Sequence, residues 1–248
     1  MDSGTWRKLA AELIGTFIFF FIGAGAIITN EYSKGAVGLL GIALAHGIIL
    51  AIMVSALGHI SGGHFNPAVT VGVLVGRKIE PLLALYYIIA QLIGGVLAGL
   101  ALRLVFAEST WGPVHLGTPD VARDAAGNAL VGFGQGTLLE ALLTFFLVWA
   151  VYATAVDPRP VRIAGFGIGL TVLVDILVGG PLTGAAMNPA RAFGPALAAG
   201  YFPIEQLIYW IGPLIGGAVA GWLYTYLFLR APDVAPPAPG PELDSTAP

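Results

Sequence analysis

Two stretches decide how this chain is read: GHISGGHFNPAVT, from Gly58 to Thr70, and GPLTGAAMNPARAFGPA, from Gly180 to Ala196. Each holds an Asn-Pro-Ala triplet, Asn66-Pro67-Ala68 and Asn188-Pro189-Ala190. Asn followed by Pro marks a helix start, because the Asn side chain caps free backbone N–H groups and Pro fits the first helical position. The run from Pro67 to Gly76 would make a half-helix of about ten residues, on the order of 15 Å, half a bilayer. Arg77 and Lys78 follow at its negative end, where cations are favoured. The second run starts at Pro189 and meets Gly200, a residue suited to end a helix. Helix ends exposed to lipid are prohibitively costly, so both segments must dip into protein or line a wet cavity.

The surrounding chain supplies the membrane context. It is 57% apolar and 10% charged, with a mean hydropathy of +0.86. A soluble domain carries about a quarter charged residues. Six apolar stretches, near 9–29, 36–57, 81–106, 138–156, 163–178 and 207–229, are long enough to cross as helices. The first resembles a secretory signal, but it is too long for one and five more spans follow. An even number of spans puts the termini on one side. That side would hold Arg7, Lys8, Arg77, Lys78, Arg159, Arg162 and Arg230, seven of the eleven cations, so both termini are expected to be cytoplasmic. A net charge of −3 and no basic face argue against a nucleic-acid partner. With no cysteine, disulfides, thiol catalysis and cysteine metal sites are excluded, and no metal cluster or nucleophile–base pair suggests an enzyme or a cofactor.

The chain is two copies of one unit. The two Asn residues lie 122 apart (188 − 66), and Leu92–Gly99, LIGGVLAG, matches Leu214–Gly221, LIGGAVAG, at the same offset. Glu12, Thr16 and Phe17 match Glu140, Thr144 and Phe145 at an offset of 128. The repeats run over about 5–106 and 135–230, joined by an extracellular loop at 107–134, and form one domain over 1–230. Residues 231–248 read as a disordered, Pro-rich cytoplasmic tail. Each repeat holds three spans, an odd number, so the second enters the membrane inverted, and the functional site is expected at the midplane between them. Gly95 and Gly99, like Gly217 and Gly221, form small-xxx-small pairs suited to close helix packing.

Inversion brings the two half-helix N-termini face to face, each with roughly half a positive charge. Two such ends and two Asn amides can hold a water oxygen while repelling cations and disfavouring a proton-carrying chain.

At these residues the chain resembles the aquaporin (major intrinsic protein) family over nearly its whole length. The second stretch, with VYATAVDP at Val151–Pro158, is most similar to the plant tonoplast branch and its microbial relatives. The resemblance implies an all-α fold of six transmembrane helices plus two re-entrant half-helices, assembled as a homotetramer with one pore per subunit. It implies a passive water channel in a cell membrane, or in the vacuolar membrane if the source is a plant. It also implies a four-residue filter outside the boxes, here His46, Ile176, Ala185 and Arg191. An intramembrane arginine is functional by default; its alternative is an ion pair with Glu140 or Asp175. Strict water channels usually carry His where this chain has Ile176, so ammonia, hydrogen peroxide or urea are expected as additional small neutral solutes. Ala192 and the Tyr209-Trp210 pair depart from the glycerol facilitators.

Glu12 and Glu140 could form a proton relay, but the resemblance implies loop support, carboxylates accepting from loop N–H groups. The partner of Asp175 is open, as is whether His115 reaches the filter or is ordinary surface. His59 and His64 read as loop packing or vestibule lining rather than metal ligation. A secondary transporter also uses inverted repeats, but paired helix N-termini have the wrong polarity for Na⁺. Lack of cysteine, with Ala185 where some relatives have Cys, predicts that thiol-reactive mercurials leave permeability unchanged; inhibition in a stopped-flow assay would refute this.

Overall fold

A computed structural model describes residues 2–160 and 163–229. The expected tail at 231–248 lies outside the described residues. Among the described residues six helical spans are long and apolar enough to cross a membrane, built on α1 (Ser3–Tyr32), α2 (Gly38–Ser61), α4 (Pro81–Val105), α6 (Phe133–Val151, the span running on to Val156), α7 (Ala164–Thr183) and α9 (Ile208–Tyr224, the span running from Ile204 to Leu229). Two short ones, α3 (Pro67–Val75) and α8 (Pro189–Ala199), are the half-helices; a single turn, α5 (Glu108–Trp111), opens the connection between repeats. α6 and α9 each end in a wider π turn, Tyr152–Val156 and Thr225–Leu229. Among the described residues the only β pairing is an isolated bridge between Arg123 and Ala129. The chain is an all-α membrane protein.

Local chemistry explains the boundaries. Asp2 caps α1, its carboxylate accepting from Thr5 N at 2.7 Å, so the helix starts six residues before the apolar stretch that announces it. α2 and α7 both end on glycines in the left-handed region, Gly62 (φ 96°) and Gly184 (φ 77°), at repeat-equivalent positions. The outward faces carry Leu104, Leu138, Phe166 and Val178, all exposed, as lipid contact requires.

Each half-helix packs on the last span of the opposite type of repeat position: α3 on α9, α8 on α4. Glycine makes the approach possible. A Cβ added at Gly221 would lie 2.1 Å from Gly72 O, and one at Gly95 would lie 2.8 Å from Ala190 O. The small-residue pairs therefore pack not span against span alone but span against half-helix. Tyr152 donates to Gly72 O at 3.0 Å, and Arg103 donates to Ala198 O at 2.9 Å, so both half-helices have polar partners near their buried C-terminal ends.

The connection expected as a plain loop at 107–134 is more structured than its composition suggests. His115 and Leu116 both have positive φ (45° and 57°), and Leu116 is fully buried with Ala24, Ile28 and Leu102. Gly117 presses on α1, where an added Cβ would lie 2.8 Å from Ala24 O. Buried apolar contact fixes this segment, a tertiary effect that no local pattern announces.

Gly221→Val should cost about 1–3 kcal/mol through overpacking against Gly72. Gly134→Ala, where nothing lies within 4 Å of the new methyl, should be near neutral. Thermal unfolding in detergent would check the pair, and equal midpoints for both variants would contradict the packing.

Candidate functional site

The two Asn-Pro-Ala triplets meet in the protein interior. Asn66 and Asn188 are extended N-caps (φ −158° and −154°), each buried. Asn66 Oδ1 accepts from Ala68 N at 2.8 Å; Asn188 Oδ1 accepts from Ala190 N at 3.0 Å and Arg191 N at 3.3 Å. Their amides cross over: Asn66 Nδ2 donates to Met187 O and Asn188 Nδ2 to Phe65 O, both at 2.9 Å. Each box thus ties down the loop before the other.

Those loops are strained. Phe65 and Met187 have positive φ (47° and 52°), as do Gly63 and Ala185 (66° and 45°). Non-glycine residues there cost about 1–3 kcal/mol each unless surroundings over-determine them. The surroundings are the two carboxylates. Glu12 accepts from His64 N at 3.0 Å, Phe65 N at 2.7 Å and Ser61 Oγ at 2.6 Å. Glu140 accepts from Ala186 N at 2.9 Å, Met187 N at 2.7 Å and Thr183 Oγ1 at 2.7 Å. Successive N–H groups converging on one acceptor form an anion-binding nest. Tyr87 and Tyr209 complete the match, their hydroxyls donating to Ser61 O and Thr183 O at 2.8 Å. Nearly every bond repeats, with the loop and tyrosine residues offset by 122 and the two carboxylates by 128.

His46, Ile176, Ala185 and Arg191 all line one narrow central cavity, together with Asn66, His64 and Phe19. His46 Nδ1 lies 2.9 Å from Ile42 O. A carbonyl only accepts, so Nδ1 carries the proton and Nε2 is left as an acceptor. Arg191 Nε points at that Nε2 from 3.4 Å. Gly23 makes room for the ring; a Cβ there would lie 2.5 Å from His46 Cδ2. Arg191 forms no ion pair with Glu140 or Asp175 within 4.0 Å, and its Nη1 is buried without a protein partner. Arg191 thus lines the cavity with one guanidinium donor unsatisfied among the described residues.

The cavity continues both ways. It shares His64 and Val151 with a wider vestibule that also holds Lys8, Arg77 and Lys78. It shares Ile176 and Arg191 with a second vestibule that holds His115, Asp120, Arg123 and Tyr201. The three cavities thus lie in series, adjoining through shared lining residues.

Several contributors have no sequence signal. Tyr201 stacks on His115, ring centroids 3.6 Å apart and 3° from parallel, and its hydroxyl donates to Asp120 at 2.5 Å. His115 therefore faces the vestibule of Arg191 instead of open surface. Gln91 Nε2 donates to Glu12 Oε2 at 2.8 Å and Thr70 Oγ1 at 3.0 Å, and Thr70 Oγ1 also lies 3.1 Å from His64 Nδ1. The second repeat has Pro213, Ala192 and Ala186 in the corresponding places, so this polar cluster belongs to one side only. Asp175 is buried, with Oδ2 unpartnered among the described residues. His59 joins none of these contacts.

Comparison with known proteins bears on the same residues. A family model described as Major intrinsic protein matches residues 1–224. "Aquaporin TIP4-4" of Zea mays is 46% identical over 236 residues, covering 92% of this chain and 89% of that protein. "Aquaporin TIP2-1" of Arabidopsis thaliana is 41% identical over 238 residues, covering 93% and 90%. The solved structure of the aquaglyceroporin from Plasmodium falciparum superposes with a TM-score of 0.71 at 20% identity, covering 90% of this chain and 96% of that one, a likeness of fold.

Glu140→Ala would leave two strained-loop N–H groups and the Thr183 hydroxyl without their acceptor. Each buried donor so orphaned costs about 1–3 kcal/mol. The variant should unfold at a markedly lower temperature, with Glu140→Gln less affected because one amide oxygen remains. Equal stability of Glu140→Ala and the parent would show that the carboxylate does not hold the loop.

Proposed function

The chain belongs to the major intrinsic protein family, a family of channels and not of enzymes, and on that premise we propose that it is a passive water channel. It is a multi-pass membrane protein. The observation that carries the proposal is a narrow central cavity that adjoins a vestibule on either side through shared lining residues, beside two Asn amides set at opposed helix N-termini. A water oxygen on this path meets donors from Asn66 and Asn188, while the paired positive helix ends repel cations and disfavour proton transfer along the water file.

His46, Ile176, Ala185 and Arg191 act in this reading as the selectivity filter, and Glu12 and Glu140 as loop support. Arg191 keeps a guanidinium donor unsatisfied among the described residues beside the cavity, and the acceptor Nε2 of His46 holds the guanidinium from the side. Ile176 makes one wall apolar. A gate with fewer polar groups demands less of a solute's hydrogen bonding, which supports passage of ammonia, hydrogen peroxide or urea beside water. The pore-forming domain spans 1–230, with repeats at about 5–106 and 135–230, and the subunits assemble as a homotetramer with both termini cytoplasmic. Similarity to two TIP-named aquaporins supports the water-channel reading over that of a glycerol facilitator or a coupled transporter.

Stopped-flow light scattering of proteoliposomes tests this directly. Water permeability should exceed that of empty liposomes, without saturation or dependence on an ion gradient. Ammonia and urea fluxes should also exceed the blank and fall in Ile176→His, which restores a polar wall, while water flux persists. Water flux equal to the blank would refute the channel, and ammonia and urea fluxes equal to the blank would refute the broader range.

A further inference from the structure

Arg77, just past half-helix α3, is exposed, and its guanidinium makes no hydrogen bond or ion pair among the described residues. Its place is fixed all the same. The backbone is left-handed (φ 58°), its N–H bonds to Leu74 O at 2.9 Å, and Lys78 N bonds to Val73 O at 2.9 Å. The packing of α3 does not call on this side chain, because Tyr152 already donates to Gly72 O at 3.0 Å. On the opposite face the comparable service to α8 falls to Arg103, which donates to Ala198 O at 2.9 Å and lies 5.3 Å from the centre of the Trp111 ring.

Arg77 forms one wall of a groove whose other wall is the end of α9, with Trp222, Thr225 and Tyr226. Gly76 allows the close approach, since a Cβ there would lie 2.7 Å from Thr225 Oγ1. Trp222 and Tyr226 stack, ring centroids 5.7 Å apart and 13° from parallel, and both are exposed. Ile215 and Val219 continue the same exposed face of α9 toward the middle of the membrane, in the spacing of one helix stripe. Lys8 and Lys78 line the adjoining vestibule with Arg77 against a single carboxylate, Glu80, so the rim is net positive. The repeat counterparts of Arg77, Lys78, Trp222 and Tyr226, at the offset of 122, are Ala199, Gly200, Leu100 and Leu104. Neither the cations nor the aromatic pair therefore belongs to the shared scaffold.

We propose that this groove binds one anionic phospholipid, its phosphate on the Arg77 guanidinium and an acyl chain along Trp222, Val219 and Ile215. The planar fork of arginine matches a phosphate, and cations at the end of a membrane span attract anionic headgroups. Stacked Trp and Tyr rings suit the level where headgroup gives way to hydrocarbon. A zwitterionic headgroup fits less well, because its ammonium would meet Arg77 and Lys78. The site faces lipid and lies outside the central cavity, so it does not depend on what the cavity conducts.

Native mass spectrometry of the full-length protein in neutral detergent tests the assignment, with phosphatidylglycerol and phosphatidylcholine as probes. Phosphatidylglycerol should be retained in preference. Arg77→Asn, which keeps a residue tolerant of the left-handed backbone, should weaken that retention about tenfold, the loss expected of one charge-assisted contact. Lys34→Asn removes an exposed cation of like backbone (φ 52°) on the opposite side and should leave retention unchanged. Arg77→Lys should recover part of the binding, which separates lost charge from a misfolded hairpin. Phosphatidylglycerol with brominated acyl chains should also quench more tryptophan fluorescence than its phosphatidylcholine analogue, and Trp222→Phe should abolish the excess. Equal retention of the two lipids would overturn the proposal, as would equal losses in Arg77→Asn and Lys34→Asn. Displacement of the lipid by inorganic phosphate would make a free anion the occupant and overturn it too, and quenching unchanged in Trp222→Phe would remove the chain from this face of α9.

Discussion

Two helices that stop halfway through a membrane leave their first backbone N–H groups where neither water nor a further helical turn can satisfy them. The fold is organised around that deficit. Asn66 and Asn188 take up the first donors, and each then spends its amide on the carbonyl before the opposite helix. That exchange works only with the loops in left-handed turns at Phe65 and Met187, and those turns persist because Glu12 and Glu140 gather their N–H groups. Remove the carboxylates and the strained loops lose their reason to hold. Remove the glycines of α4 and α9, and the half-helices cannot come close enough for the Asn residues to cross.

Symmetry accounts for the scaffold and its breaking accounts for direction and selection. The carboxylate, tyrosine, Asn and glycine contacts recur in both repeats, so they cannot distinguish one side of the membrane from the other. The residues that differ lie along the path itself. On one side stands His64, backed by the buried Thr70 and Gln91 in a polar cluster whose repeat counterparts are apolar. On the other side stand His46 and Arg191, with Ile176 and Ala185 completing the wall. A molecule therefore meets a hydrogen-bonding flank, a symmetric centre, and a charged constriction with one greasy face.

Most of the scaffold was legible because its causes are local or periodic. Helix length against bilayer thickness, Asn-Pro as a start signal and the offset of 122 are all properties of the string. The grouping of His46, Ile176, Ala185 and Arg191 around one cavity was reachable only through resemblance: nothing in the spacing of His46 or Ile176 says that they line it with Arg191. Tyr201 and Leu116 were invisible for a different reason. Their roles come from a connection whose conformation is set by burial against α1 and α8, a contact between residues distant in sequence. Gln91 could have been suspected as an amide inside an apolar span, where polar side chains need partners. Asp175 shows the limit in the other direction: sequence singles it out, and the structure leaves its Oδ2 without a protein partner.

The electrostatics of the path bear on what kind of transport it performs. A coupled transporter for Na⁺ needs carbonyls or carboxylates converging on the midplane. Here the midplane presents helix N-termini and amide donors, and both buried carboxylates near it, Glu12 and Glu140, are consumed by backbone N–H groups and hydroxyls. Arg191 adds a further positive charge without an ion-pair partner among the described residues. Such a path opposes cations beside Arg191 and again at the centre. A proton relay through the carboxylates fails on the same geometry, because their oxygens face loop donors rather than one another or a chain of titratable groups. What the path can accommodate is a neutral molecule able to accept hydrogen bonds in turn from Arg191 and the two Asn amides, and water meets that description with the smallest cross-section.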